Sequence, residues 1–152
     1  MESFELSLSP AQLNQTRRAL AQCNEASARY GLVLSEAQMA ALARRRSQAL
    51  RSTGRVEVGE GVLPKLARAF CSSSCIQPAD YADTLAELQD LFYQLKGDCR
   101  ERLADDELID AMVLVFQRTG GSLEFLSGME PDELCQIART GSLDGTRLDG
   151  EM

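Results

Sequence analysis

Tyr81-Ala82-Asp83-Thr84-Leu85-Ala86-Glu87-Leu88-Gln89-Asp90-Leu91-Phe92-Tyr93-Gln94-Leu95-Lys96 is the stretch that decides the fold class. Its large apolar residues Tyr81, Leu85, Leu88, Phe92 and Leu95 recur at intervals of four, three, four and three. That spacing is the apolar stripe of a helix with one buried face. Pro78 suits the helix start, and Gly97-Asp98 is expected to break it.

Working outward, the same period returns on both sides. Downstream, Asp105 is expected to cap a helix whose inner stripe is Leu108, Met112, Val115 and Phe116, with Gly120-Gly121 as its stop. A turn or two over residues 122–128 and a short helix over 131–139, anchored by Leu134 and Ile137, follow. Upstream, Ser9-Pro10 opens a helix that runs to Tyr30 and Gly31, and Ser35 with Gln38 forms a capping-box pattern for a helix ended by Gly54. Leu63, Leu66, Ala67 and Phe70 mark one more, over residues 62–72. The expected fold is therefore all-α, an irregular bundle of about five to seven helices. Residues 4–8 and Val56-Glu57-Val58 alternate in polarity, so one short two-stranded β-pair could accompany the bundle.

The chain has 152 residues, enough for a core without metal or disulfide support, and reads as a single helical domain over residues 1–140 with a flexible polar tail over 141–152. Five cysteines at irregular spacing (Cys23, Cys71, Cys75, Cys99, Cys135) point to reduced thiols. The acidic start Met1-Glu2-Ser3-Phe4-Glu5 lacks the order of a signal peptide, and no apolar run has the length of a membrane span. Cytoplasmic location is the expectation. Net charge is −7, unevenly spread. Residues 1–76 carry ten Lys/Arg against six Asp/Glu, or +4, while residues 77–152 carry six against seventeen, or −11.

Each chemical motif fails on a specific residue. The chain has no histidine, which removes Ser-His and Cys-His catalysis and His-ligated zinc. Cys71 and Cys75 make one close pair where a structural zinc site needs two, and they read as small buried hydrophobes. An EF-hand loop after Phe116 would place Gln117, Thr119, Gly121, Ser122 and Gly128 where carboxylates and a glycine belong. Gly54 and Gly59 have P-loop separation, but Glu60 and Gly61 stand in place of Lys and Ser/Thr. Asp105, Asp106, Glu107 and Asp110 fit first-turn dipole chemistry better than a metal or acid/base pair. No catalytic, cofactor-binding or metal residue is assigned, and no cofactor is expected.

The one concentrated basic feature is Arg44-Arg45-Arg46 with Arg51. Three consecutive helical positions fan over about 200° of surface. Internal pairing with the acidic half or a docking patch explains them better than nucleic acid, because the chain as a whole is acidic.

Gly54-Arg55-Val56-Glu57-Val58-Gly59-Glu60-Gly61, Ala69-Phe70-Cys71, Thr84-Leu85-Ala86-Glu87-Leu88-Gln89-Asp90-Leu91-Phe92-Tyr93, Asp105-Asp106-Glu107-Leu108-Ile109 and Gly121-Ser122-Leu123-Glu124 together resemble a family of small uncharacterised proteins from anaerobic Gram-positive bacteria. The likeness runs from Glu5 to Arg139. It implies a free-standing bacterial cytosolic protein and carries no mechanism or site residues.

The leading expectation is a non-enzymatic interaction or regulatory module whose partner is another protein or a second copy, with no membrane, metal or nucleic acid involved, and with Arg44, Arg45, Arg46 and Arg51 as the docking patch. The alternative is a small enzyme or ligand-binding protein using carboxylate, Arg and Tyr side chains, with Tyr81, Tyr93, Glu57 and Arg44, Arg45 and Arg46 as suspects by residue type. A nucleic-acid accessory is a third reading.

Overall fold

A computed structural model describes residues 10–55, 57, 61–100 and 102–141. Among these residues the fold is all-α, with seven α-helices and no strand: α1 (Pro10–Ser27), α2 (Glu36–Thr53), α3 (Leu63–Phe70), α4 (Tyr81–Asp98), α5 (Asp105–Arg118), α6 (Leu123–Ser127) and α7 (Pro131–Thr140). The β-pair is not seen; residues 4–8 and most of its other half, like the tail over 142–152, lie outside the described residues. The helices fall into two compact units. One comprises the chain up to Ser72 together with Ile76–Asp90, the other Ser73–Cys75 with the chain from Leu91 onward, so the division falls inside α4.

In the first unit α1 packs on both α2 and α3. The turn from α1 to α2 is locked by side chains. The amide of Asn24 grips Leu34 twice, accepting from its N–H at 2.9 Å and donating to its carbonyl at 3.0 Å. Ser35 and Gln38 then complete the capping box that begins α2. Met39, Leu42, Ala43 and Leu50 turn inward.

Arg46 turns inward with them, and this corrects its place in the expected surface patch. Residues 39, 42, 43, 46 and 50 form one helical stripe, so the fold puts a guanidinium on the core face, with no exposure at all. Its Nε donates to Glu57 Oε1 at 3.1 Å and its Nη1 to Thr16 Oγ1 at 2.7 Å. Glu57 is itself only 5% exposed and takes a second bond, from Arg55 Nε at 3.0 Å. Gly61 closes over this group with φ at +78°. A Cβ there would stand 2.4 Å from Arg46 Nη2 and 2.5 Å from Glu57 Oε1, so both backbone and space demand glycine.

In the second unit α5 packs against α6 and α7. Two details differ from the sequence expectation. Gly97 does not stop α4, which continues to Asp98; the Cys99 N–H still bonds Leu95 O at 2.9 Å and Cys99 is fully buried. Burying that side chain outweighs the roughly 1 kcal/mol helix cost of glycine. The chain turns instead at Arg100, whose φ is +55°. Asp105 is the first residue of α5, and Ala104 holds the cap position, its N–H donating to Glu107 Oε1 at 2.8 Å. The Asp105 carboxylate is drawn to Lys96 Nζ at 2.9 Å, and the same ammonium donates to the Leu103 carbonyl. Beyond α5, Gly121 has φ at +89° and a Cβ would meet Cys75 Cβ at 3.0 Å.

The inner stripes are buried as their spacing required: Tyr81, Leu85, Leu88, Phe92 and Leu95 of α4, and Leu108, Met112, Val115 and Phe116 of α5.

A buried ion pair costs most when one partner is removed. Glu57→Ala should therefore lower unfolding free energy by roughly 3–5 kcal/mol, while Arg46→Met combined with Glu57→Ala should recover most of that loss. Chemical denaturation of the two variants checks this; equal stability would show that Glu57 does not compensate Arg46.

Candidate functional site

The α2 helix separates the arginine run by geometry. Its outward stripe is Ala37, Ala41, Arg44, Gln48 and Arg51, all exposed, at spacings of four, three, four and three. Arg46 lies on the opposite, buried side. Arg45 lies on a flank, where its Nη2 and Nε donate to Asp90 of α4 at 2.6 and 3.2 Å. That hydrogen bond holds the Arg45 guanidinium above its ordinary pKa against the opposing effect of burial, with the charges of Asp90, Glu87 and Asp83 adding to it. Arg44 and Arg51 make no ion pair with any described residue. The predicted patch of Arg44, Arg45, Arg46 and Arg51 thus resolves into two unpaired surface cations, one surface ion pair and one core residue.

The suspects for the ligand or enzyme alternative are placed as follows. Glu57 and Arg46 meet, in the buried group described above. Tyr81 is buried in the first unit; burial pushes its phenol up to about 12, with a smaller lowering from Ser27. The Ser27 hydroxyl is committed to Leu32 O at 2.5 Å, and the Tyr81 hydroxyl has no partner within hydrogen-bonding geometry. Tyr93, in the second unit, meets Phe92 edge-on at 5.4 Å between ring centres.

All five cysteines are free thiols, and four of them are buried. Burial, followed by the neighbouring Cys135 thiol, pushes Cys99 up to about 11. Cys75 alone is partly open. Among the described residues no three Cys, Asp or Glu side chains gather as a metal-binding group. No described helix is long and apolar enough to cross a membrane.

One feature escaped the sequence reading. On α1, Asn14, Arg17, Arg18 and Ala21 stand at helical positions i, i+3, i+4 and i+7 and line a cleft with Glu36, the first residue of α2. Arg17 Nη1 donates to Asn14 Oδ1 at 3.0 Å and its Nη2 to Glu36 Oε1 at 2.8 Å. The signal was present as a polar stripe at helical spacing, but only the fold brings Glu36 to it.

A model of a family of unknown function, DUF6323, matches residues 19–144. The chain belongs to this family. No curated protein and no solved structure matches it. The DUF6323 match takes in α2 and its arginines whole, together with α3 to α7, and begins inside α1 at residue 19, just after the Arg17-Arg18 pair.

Two measurements probe this DUF6323 chain directly. Thiol titration with an aromatic disulfide should show one fast-reacting sulfhydryl, abolished by Cys75→Ser, and four that react only on unfolding; a fast phase surviving the substitution would contradict the burial pattern. In an ultraviolet pH titration the Tyr81 phenol should ionise only at about 12. Because the folded phenol has the higher pKa, the unfolded chain ionises first. The stability linked to Tyr81 is therefore intact below pH 10 and is lost between about 10 and about 12. Tyr81→Phe should reduce that alkaline loss.

Proposed function

We propose that this DUF6323 protein is a non-enzymatic interaction module that docks an acidic surface of another protein on the outward stripe of α2. The observation carrying this reading is the pair Arg44 and Arg51, exposed and unpaired, on a stripe with no carboxylate, in a chain of net charge −7. Seven residues apart on one face, the two guanidinia stand roughly 10 Å from each other along the helix axis. Ala37 and Ala41 leave the stripe low enough for another backbone to lie alongside. Neighbouring Arg45 is already neutralised by Asp90, which narrows the positive face to the two arginines and gives it a defined register. Unpaired exposed cations steer a partner more than they tighten it, so association should be fast and salt-sensitive. Cytoplasmic location and a source among anaerobic Gram-positive bacteria belong to the same proposal.

A ligand-binding role is the second reading, favoured by the α1–α2 cleft.

The test compares partners captured by the wild-type chain with those captured by Arg44→Glu/Arg51→Glu, at low salt and at high salt. A partner that binds through α2 should lose at least tenfold in affinity with the charge-reversed stripe, be released by salt, and present clustered Asp or Glu. Capture of the same proteins at the same affinity by both chains would refute the docking face, and circular dichroism of the variant guards against misfolding.

A further inference from the structure

The cleft between α1 and the start of α2 has a volume of about 220 Å³ and is lined by Asn14, Arg17, Arg18, Ala21 and Glu36. A liquid water occupies about 30 Å³, so the space suits an organic molecule of on the order of ten non-hydrogen atoms better than a single ion. Among the described residues the lining carries two guanidinia, one carboxylate and one amide.

Their hydrogen bonds settle which groups are open to a ligand. Arg17 is held as a strut, Nη1 on Asn14 and Nη2 on Glu36, with its Nε buried and without a partner. That strut fixes the other two side chains. Asn14 accepts through Oδ1, which leaves its Nδ2 amide group to donate. Glu36 accepts through Oε1, which leaves Oε2 on a side chain 75% exposed. Arg18 is exposed and makes no ion pair with any described residue. One wall thus offers an unpaired guanidinium and an amide donor, and the other a half-used carboxylate. Ala21 adds only a methyl to the surface between them.

We propose that this cleft binds a free α-amino acid, its carboxylate on Arg18 and Asn14 Nδ2 and its ammonium on Glu36 Oε2. Both charges of the ligand are needed. A purely anionic ligand meets repulsion from Glu36, and a purely cationic one from Arg18 and Arg17. The described lining residues carry a net charge of +1, so an amino acid with an acidic side chain leaves the smallest uncompensated charge among them. The site is separate from the docking stripe of α2, and neither proposal depends on the other.

The experiment is a thermal-stability and calorimetric screen of the full chain against the L-α-amino acids, with glutarate and putrescine as single-charge-type probes. Ligand binding to the native state raises apparent stability by mass action. The expected result is a saturable upward shift with L-glutamate or L-aspartate, at least tenfold weaker binding of glutarate, and none of putrescine. Arg18→Ala and Glu36→Gln should each weaken the amino acid at least tenfold; the glutamine keeps an oxygen for Arg17 while removing the charge. Arg44→Glu/Arg51→Glu should leave it unchanged, so the docking reading can fail without touching this one. Glutarate binding as well as glutamate, indifference to Glu36→Gln, or no shift with any amino acid would overturn the proposal.

Discussion

A guanidinium taken wholly out of water has to meet its counter-charge inside the protein, and much of the first unit is arranged around that requirement. Arg46 occupies a core position of α2, so α1 supplies the Thr16 hydroxyl and the segment after α2 returns to place Glu57 on the same group. Arg55 adds a second hydrogen bond to the carboxylate from the same segment. Gly61 lacks a side chain where one would strike both charged ends. Three separate stretches of sequence are therefore committed by one buried charge. Such a group adds little net stability over an apolar replacement, but it penalises any arrangement in which its partners are misplaced. Specificity of arrangement is its physical contribution.

With Arg46 committed inside, the remaining arginines of the run are sorted by what faces them. Arg45 meets Asp90 of α4 and is neutralised, whereas Arg44 and Arg51 make no ion pair with any described residue. Pairing of the Arg run with the acidic residues beyond position 76 is thus realised at one position, and two cations are left for solvent or a partner. The same logic separates Arg17 from Arg18 on α1. The first is tied to Asn14 and Glu36, while the second is left open one position further round the helix.

Helix positions were legible because burial on one side of a helix imposes a period that no other structure shares, as residues 81–95 show. Where the reading slipped, a local signal competed with packing. Gly97 looked like a stop, but burying Cys99 carries the helix past it. Asp105 looked like a cap, but Lys96 claims its carboxylate and Glu107 does the capping. Arg46 was placed on the surface by its charge, although its interval from Met39, Leu42 and Ala43 already put it on the inner stripe. Pairings across long intervals, such as Arg17 with Glu36 or Arg45 with Asp90, could not be read. Helical periodicity fixes which way a side chain points and says nothing about which helix lies opposite.

The distribution of sulfur gives the molecule a practical property. Cys75 is the single half-open thiol, in a short bend between α3 and α4, while the other four lie inside helical packing. A fluorophore or spin label could be attached at that one point without mutagenesis. Its mobility would then report on motions of the bend beside Gly121 in the otherwise unmodified molecule.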